Sequence, residues 1–360
     1  MRVTPPGGIA ILTACLKRAG YTDIDLFDAT WYPVDEQLRE EGKVGGNRDR
    51  DRQKRGMFPD YEWKRDDIKL ELEDVDMYTA FRDMVLDFEP DVIISSIVED
   101  TFYLWKKFME KVSDRKFISV CGGVFCTYFP QAFEGKCDYI CRGEGDELLP
   151  ELMDLISEGK TGHHLANVHP NPMRPAINVN TLPVTDHEIF DERSLYRPFQ
   201  GEIIKIATVE TQRGCPFKCK FCNSPSNANL YKEETDSLFF RHRSVEHQEA
   251  EIKDLIDKHD IEVLWIVTDT FLTMSKKKFD EWARMYSKYQ LPFFTQTRPE
   301  LLTEHQARTL KELGCLKLNM GVEHGDPKFR RDVIGRVYEN DRAIEAFRIA
   351  NDAGLSTTCN

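Results

Sequence analysis

Short apolar runs alternate along this chain with stretches of helical periodicity, and glycine-containing turns close several of the apolar runs. This alternation constrains the fold more than any other feature of the sequence. Residues 91–97 (DVIISSI) form a continuous apolar run, the pattern of a parallel strand covered on both faces. Parallel strands need long crossover connections, which helices usually supply. In the first half, helices are predicted at 8–20, 76–88, 101–112 and 146–156, and strands at 23–27, 91–97, 116–120 and 138–141. Cys121-Gly122-Gly123 and Arg142-Gly143-Glu144-Gly145 follow two of these strands as turns. Residues 39–66 are polar and strongly charged, and read as an insertion or lid. The pattern predicts a doubly wound, Rossmann-like α/β domain over 1–157.

Residues 158–200 interrupt the pattern with prolines and four histidines, and read as a linker with little core. The alternation resumes at 201. Strands are predicted at 203–209, 262–268, 292–297 and 315–322, with helices at 246–258, 275–289, 303–313 and 340–353. A further strand begins near Leu355. This is the pattern of a TIM-type βα barrel, whose active site is expected at the carboxyl ends of the strands. Four units and the start of a fifth do not close a barrel, so 201–360 is expected to be a partial, C-terminally truncated one and the chain a fragment.

The net charge of −13 over 360 residues argues against broad binding to nucleic-acid phosphates. No apolar run approaches the roughly 20 residues that a membrane-crossing helix requires. The start of the chain lacks the pattern of an export signal. The ten cysteines therefore read as thiols or metal ligands rather than a disulfide framework, and the cytoplasm is the expected location.

Three of those cysteines fall within eight residues, in Gly214-Cys215-Pro-Phe-Lys-Cys219-Lys-Phe-Cys222, directly after the predicted strand 203–209. Three thiolates at this spacing can reach three corners of one cubane cluster and leave one iron open for a further ligand. The alternatives are a structural zinc site or a redox dithiol. Zinc would want a fourth ligand nearby, and the nearest downstream histidine is His242. A dithiol would need only Cys219 and Cys222.

Cys-x-x-x-Cys-x-x-Cys after the first strand of a barrel resembles the radical S-adenosylmethionine superfamily. The resemblance implies that Cys215, Cys219 and Cys222 ligate a [4Fe–4S] cluster whose open iron holds the amino and carboxylate groups of S-adenosylmethionine. Reductive cleavage then yields methionine and a 5′-deoxyadenosyl radical. By the same carry-over, Phe221 lies beside the adenine, and Asp269, at the end of the second strand, meets the methionine ammonium. Arg298, at the end of the third, meets a carboxylate, and Glu323, at the end of the fourth, meets the ribose hydroxyls. Asp269 is equally suited to capping a helix, and Arg298 to an ordinary ion pair. Gly321 beside Glu323 would allow a close approach.

In the first domain, Pro5-Pro-Gly-Gly8, Ser96, Gly122, Gly123 and the turn Gly143-Glu144-Gly145 together resemble the cobalamin-binding domain found ahead of many radical S-adenosylmethionine barrels. Ser96, Gly122, Gly123, Gly143, Glu144 and Gly145 would then line the nucleotide tail of cobalamin. No histidine precedes His163, so the domain has none with which to ligate cobalt from below. Each motif is also compatible with ordinary turn chemistry. The implied partners are a small-molecule substrate and an electron donor such as flavodoxin or ferredoxin. The function expected is cobalamin-dependent methyl transfer to a small-molecule carbon. The alternatives are radical cyclisation, rearrangement or oxidation on the same architecture, or a non-catalytic metal-binding scaffold. No catalytic acid or base is assigned.

Overall fold

The computed structural model of the chain describes residues 5–33, 35, 37–38, 67–69, 71–199 and 201–360; the charged segment 39–66 lies outside them. The chain divides into two compact units. One comprises Met1–Arg174, Asp186–Ser194 and Pro198–Ile203, the other Pro175–Thr185, Leu195–Arg197 and Ile204–Asn360.

The first unit is built on three parallel strands, β1 (Val92–Ser96), β2 (Ile118–Gly122) and β3 (Tyr139–Ile140), in that order. Ser96 pairs with Gly122, and Cys121 with Ile140. Its helices are α1 (Gly7–Arg18), α2 (Met77–Phe88), α3 (Phe102–Lys111), α4 (Val124–Tyr128) and α5 (Leu148–Ser157). The period-2 pleat sends neighbouring side chains to opposite faces. Val120, Tyr139 and Cys141 join Leu16, Leu148 and Leu152 in one core, while Cys121 and Ile140 join Ile97, Trp105 and Phe133 in another. Helices thus cover both faces, as the apolar run at 91–97 predicts.

Residues 23–27 differ from the predicted strand and are irregular. Their apolar side chains are held by packing instead of a ladder: Ile24 packs against the core containing Leu148, and the Phe27 ring stacks on Tyr32 and meets Phe81 and Phe108 edge-on. The stretch 158–200 also contributes more core than its composition suggests. Leu165, Val168, Met173, Val179, Leu182 and Tyr196 are all buried.

The second unit curls five strands in consecutive order: β5 (Glu202–Glu210), β8 (Val263–Val267), β9 (Phe293–Thr297), β10 (Cys315–Met320) and β11 (Thr357–Cys359), with β4 (Tyr196–Phe199) on the outer side of β5. β5 through β11 pair in parallel, with Ile206 opposite Val263, Leu264 opposite Phe293 and Leu318 opposite Thr295. This is a partial βα barrel. A two-residue antiparallel ladder, β6 (Gln212–Arg213) with β7 (Arg241–His242), follows β5 and closes off the segment between them. The helices are α6 (Asn223–Thr235), α7 (Val245–His259), α8 (Lys276–Tyr286), α9 (Glu304–Glu312) and α10 (Asn340–Asp352). Ser244, Ser275 and Thr303 accept a backbone N–H at the start of α7, α8 and α9, the chemistry that side-chain oxygens bring to a helix N-terminus. Inside, Leu264, Phe293 and Leu318 are fully buried against Phe279, Trp282, Tyr286 and Leu310.

One polar network is buried with this core. The Arg243 side chain donates to Glu251 at 2.6 Å and to Glu210, the last residue of β5, at 2.7 Å. Thr185 Oγ1 donates to the other Glu251 oxygen at 2.7 Å. Burial pushes the Glu251 carboxyl above its ordinary range, and the Arg243 charge pulls it back. Removing one partner of such a pair leaves an uncompensated buried charge. Arg243→Ala should therefore lower the stability of this unit by about 3–5 kcal/mol, read as a lower urea midpoint of its unfolding transition.

Candidate functional site: a cysteine loop at the carboxyl ends of the barrel strands

Parallel pairing brings the carboxyl ends of β5, β8, β9 and β10 to one edge of the sheet. The segment carrying Cys215, Cys219 and Cys222 leaves from β5 by way of β6. Cys219 is 6% exposed, and the other two thiols are half-buried. Cys222 occupies the N-cap of α6, where its Sγ accepts from the Ser224 N–H at 3.4 Å. A 13-residue helix thereby directs its positive end at the third cysteine. Cys215 Sγ lies 3.7 Å from Thr270 Oγ1, and burial raises its thiol above the ordinary range.

A second segment holds the loop in place. After β10 the chain makes a wide five-residue turn of helix at Arg330–Ile334, which ends at Gly335 with φ +80°. The Lys220 N–H donates to the Ile334 carbonyl at 2.9 Å, and Lys220 Nζ to the Asp332 carbonyl at 2.7 Å. A Cβ on Gly335 would stand 2.9 Å from the Lys218 carbonyl oxygen. Glycine is required there for both its positive φ and its bareness.

The sequence-predicted residues at the strand ends converge on this loop. Asp269, after β8, is exposed, and its Oδ2 accepts from Ser224 Oγ at 2.5 Å. It caps no helix, since Thr270 holds the cap position of the short turn Phe271–Thr273. Phe221 is 60% exposed, with the Arg336 guanidinium 5.8 Å above its ring. Glu323, after β10, has φ +68° and pairs with Arg336 at 3.1 Å. Its amide and that of Val322 both donate to the Asn360 carbonyl, which supports this costly conformation. A Cβ on Gly321 would lie 2.4 Å from Glu323 Oε1, so the predicted close approach is made by the chain's own carboxylate.

Arg298 makes the ion pair that the sequence also allowed. It is 4% exposed, and its Nε and Nη2 rest on Glu300 at 2.5 Å. Nη1 donates to Cys219 Sγ at 3.1 Å, and the guanidinium lies 3.8 Å over the Phe217 ring. The fork predicted to meet a carboxylate has met one supplied by the chain. Arg336, Lys220 and the turn Arg330–Ile334 were not expected from the sequence. Arg336-x-Tyr338 follows a glycine ten residues or more from any strand end, and only the return of the chain gives it a role.

The fit of this loop to a metal group follows from the donor set. Tetrahedral zinc, at about 2.3 Å from each sulfur, would draw its thiolates to about 3.8 Å of one another. Among the described residues, no group of three or more histidine, cysteine or carboxylate side chains is gathered for a single ion. A cubane offers a separate iron to each thiolate and so tolerates wider spacing. Three thiolates, a helix N-terminus at one and a guanidinium at another suit an anionic sulfur cluster.

In the first unit, Ser96, Gly122 and Gly123 end two adjacent strands, and the turn Gly143-Glu144-Gly145 follows the third. Gly123, with φ +96°, would place a Cβ 2.7 Å from the Ile97 backbone, so the chain's own turn demands it. The Gly143 N–H donates to Thr127 Oγ1, and the Glu144 carbonyl accepts from Asn167. Val98, Val124 and Phe129 stand about half exposed beyond the ends of β1 and β2, Val124 as the first residue of α4.

Residues 209–360 match the family model of the Radical SAM superfamily. The chain is 26% identical to an uncharacterized methyltransferase of Pyrococcus horikoshii, over 74% of this chain and 59% of the relative. It is 22% identical to the anaerobic magnesium-protoporphyrin IX monomethyl ester cyclase of Rubrivivax gelatinosus, over 98% of this chain and 58% of the relative. The chain therefore spans less than two thirds of the length of these relatives. In fold it is similar to the radical S-adenosylmethionine methyltransferase TsrM of Kitasatospora setae, with TM-score 0.67, 15% identity and coverage of 99% of this chain and 64% of that one. The cobalamin-dependent S-adenosylmethionine radical enzyme OxsB gives TM-score 0.61 at 18% identity, over 78% of this chain and 42% of that one.

Replacing Gly335 by alanine should loosen the cysteine loop. The left-handed conformation alone costs a non-glycine residue about 1–2 kcal/mol, before the contact with Lys218 is relieved. Iron retained after anaerobic reconstitution should fall while the far-ultraviolet circular dichroism stays unchanged.

Proposed function

We propose that the chain belongs to a cobalamin-dependent radical S-adenosylmethionine methyltransferase acting on a small-molecule carbon. The observation that carries the radical part is the cysteine loop pinned at the strand ends, with Glu323 held in a left-handed conformation beside it. When bound, the cluster and S-adenosylmethionine supply a deoxyadenosyl radical by reductive cleavage, and cobalamin supplies a transferable methyl group. The protein's part is to bind and orient them and to exclude water.

In this reading Cys215, Cys219 and Cys222 each bind one iron. Exposed Asp269 receives the ammonium of S-adenosylmethionine, exposed Phe221 covers the adenine, and Glu323 accepts from the ribose hydroxyls while Arg336 holds it. Ser96, Gly122, Gly123 and the turn Gly143-Glu144-Gly145 hold the nucleotide tail of cobalamin, and Val98, Val124 and Phe129 add apolar surface for a large ligand. Cobalamin-dependent relatives in fold and methyltransferase-named relatives in sequence support this assignment. Among the described residues, no helix is long and apolar enough to cross a membrane. The ten cysteines are free, which suits a reducing compartment such as the cytoplasm. An external one-electron donor such as flavodoxin or ferredoxin would reduce the cluster.

Radical cyclisation is the second reading, because the match to the cyclase runs along nearly the whole chain. Product analysis separates the two. S-adenosylhomocysteine formed alongside 5′-deoxyadenosine marks methyl transfer, and deoxyadenosine alone marks the second reading. Cys219→Ala should abolish S-adenosylmethionine cleavage and leave cobalamin binding intact. Loss of both would contradict two independent sites, and zinc without iron in the wild-type protein would end the radical reading.

A further inference from the structure

We propose that Arg298 is a positioning residue for the cluster, raising its reduction potential through Cys219 rather than binding S-adenosylmethionine. The inference rests on the reading of Cys215, Cys219 and Cys222 as cluster ligands. Three contacts define the geometry. Nη1 donates to Cys219 Sγ at 3.1 Å. Nε and Nη2 are anchored on Glu300 at 2.5 Å. The planar face is stacked 3.8 Å over Phe217, the second residue after Cys215. With 4% of the residue exposed, no edge of the guanidinium is left for a carboxylate arriving from solvent.

Arginine suits this task for a physical reason. It stays charged at every accessible pH, and its rigid fork can satisfy a carboxylate with one edge while another N–H points elsewhere. Here that N–H points at a ligand sulfur. Adding one electron to the cluster makes it and its thiolates more negative by one charge. A donor aimed at the sulfur from a water-poor site stabilises the more negative state, so reduction becomes easier; hydrogen bonds to cluster sulfurs and local charge are established levers on such potentials. Glu300 opposes this in part, since it places a negative charge on the far side of the same guanidinium. The pair therefore acts as an oriented dipole with its positive end at Cys219.

The test is a mediated redox titration of the anaerobically reconstituted protein, with dithionite as the electron source and the reduced cluster followed by electron paramagnetic resonance. Iron and sulfide are measured on every variant. Arg298→Gln keeps a hydrogen-bond donor but loses the charge. It should retain its iron, and its reduction equilibrium should weaken by about tenfold, which is about 59 mV for one electron. Arg298→Lys should recover part of that loss. Glu300→Gln should move the potential in the opposite direction, and this variant keeps the test alive if Arg298→Gln does not fold. A fully loaded Arg298→Gln with the wild-type potential would overturn the inference and leave Arg298 a staple of the loop. A wild-type protein that takes up no iron would overturn the cluster reading itself, and this inference with it.

Discussion

The parallel register of β5, β8, β9 and β10 is the constraint on which the site depends. Each strand runs in the same direction as its neighbour, so the residues that follow them must emerge along one edge. A single antiparallel exchange would send one of Asp269, Arg298 or Glu323 to the opposite end of the sheet. The core makes this register expensive to change. Leu264, Phe293 and Leu318 are fully buried, and a slip by one residue would turn each toward the other face. At about 1.5–3 kcal/mol for each large apolar side chain removed from water, such a slip is not tolerated.

On that edge, the cysteine loop is held by polar ties. Lys220 is fastened to the turn at Arg330–Ile334, Cys222 is fixed by the start of α6, and Cys219 is approached by Arg298. The turn that holds the loop also delivers Arg336, which reaches back to the Gly321 carbonyl and to Glu323. One excursion of the chain thus couples the loop to the end of β10. Buried Arg330 keeps this excursion compact by donating to the carbonyls of His324 and Tyr338 and lying 4.2 Å over the Tyr338 ring.

Much of the fold was readable because burial on both faces leaves a plain trace. Residues 92–94 and 263–267 are unbroken apolar runs, and the strands they mark lie inside the predicted bounds of 91–97 and 262–268. Helices with Ser or Thr at the cap and apolar residues at helical spacing were equally plain. Helix α6 was not, because Asn223-Ser-Pro-Ser-Asn-Ala-Asn has weak helical propensity and no apolar face; its start is tied to the cysteine loop instead. Residues 23–27 misled in the other direction. Alternating polarity suits a strand, yet their side chains found an aromatic cluster and no neighbouring ladder. Strand β3 is shorter than the predicted 138–141. The strand covers only Tyr139–Ile140, and Cys137 packs with Phe133 while Cys141 packs with Leu148.

By itself, the sequence determined the layered α/β architecture, the partial barrel and the spacing of the three thiols. Periodicity, glycine turns and ligand spacing are local properties, and a linear chain displays them directly. Only the tertiary structure decided what each strand-end side chain faces. Asp269 is left open to solvent, Glu323 is braced by Arg336, and Arg298 is spent on Glu300 and Cys219. These partners lie between 2 and 79 residues away along the chain, and a charge or a hydrogen bond acts through space without regard to that separation.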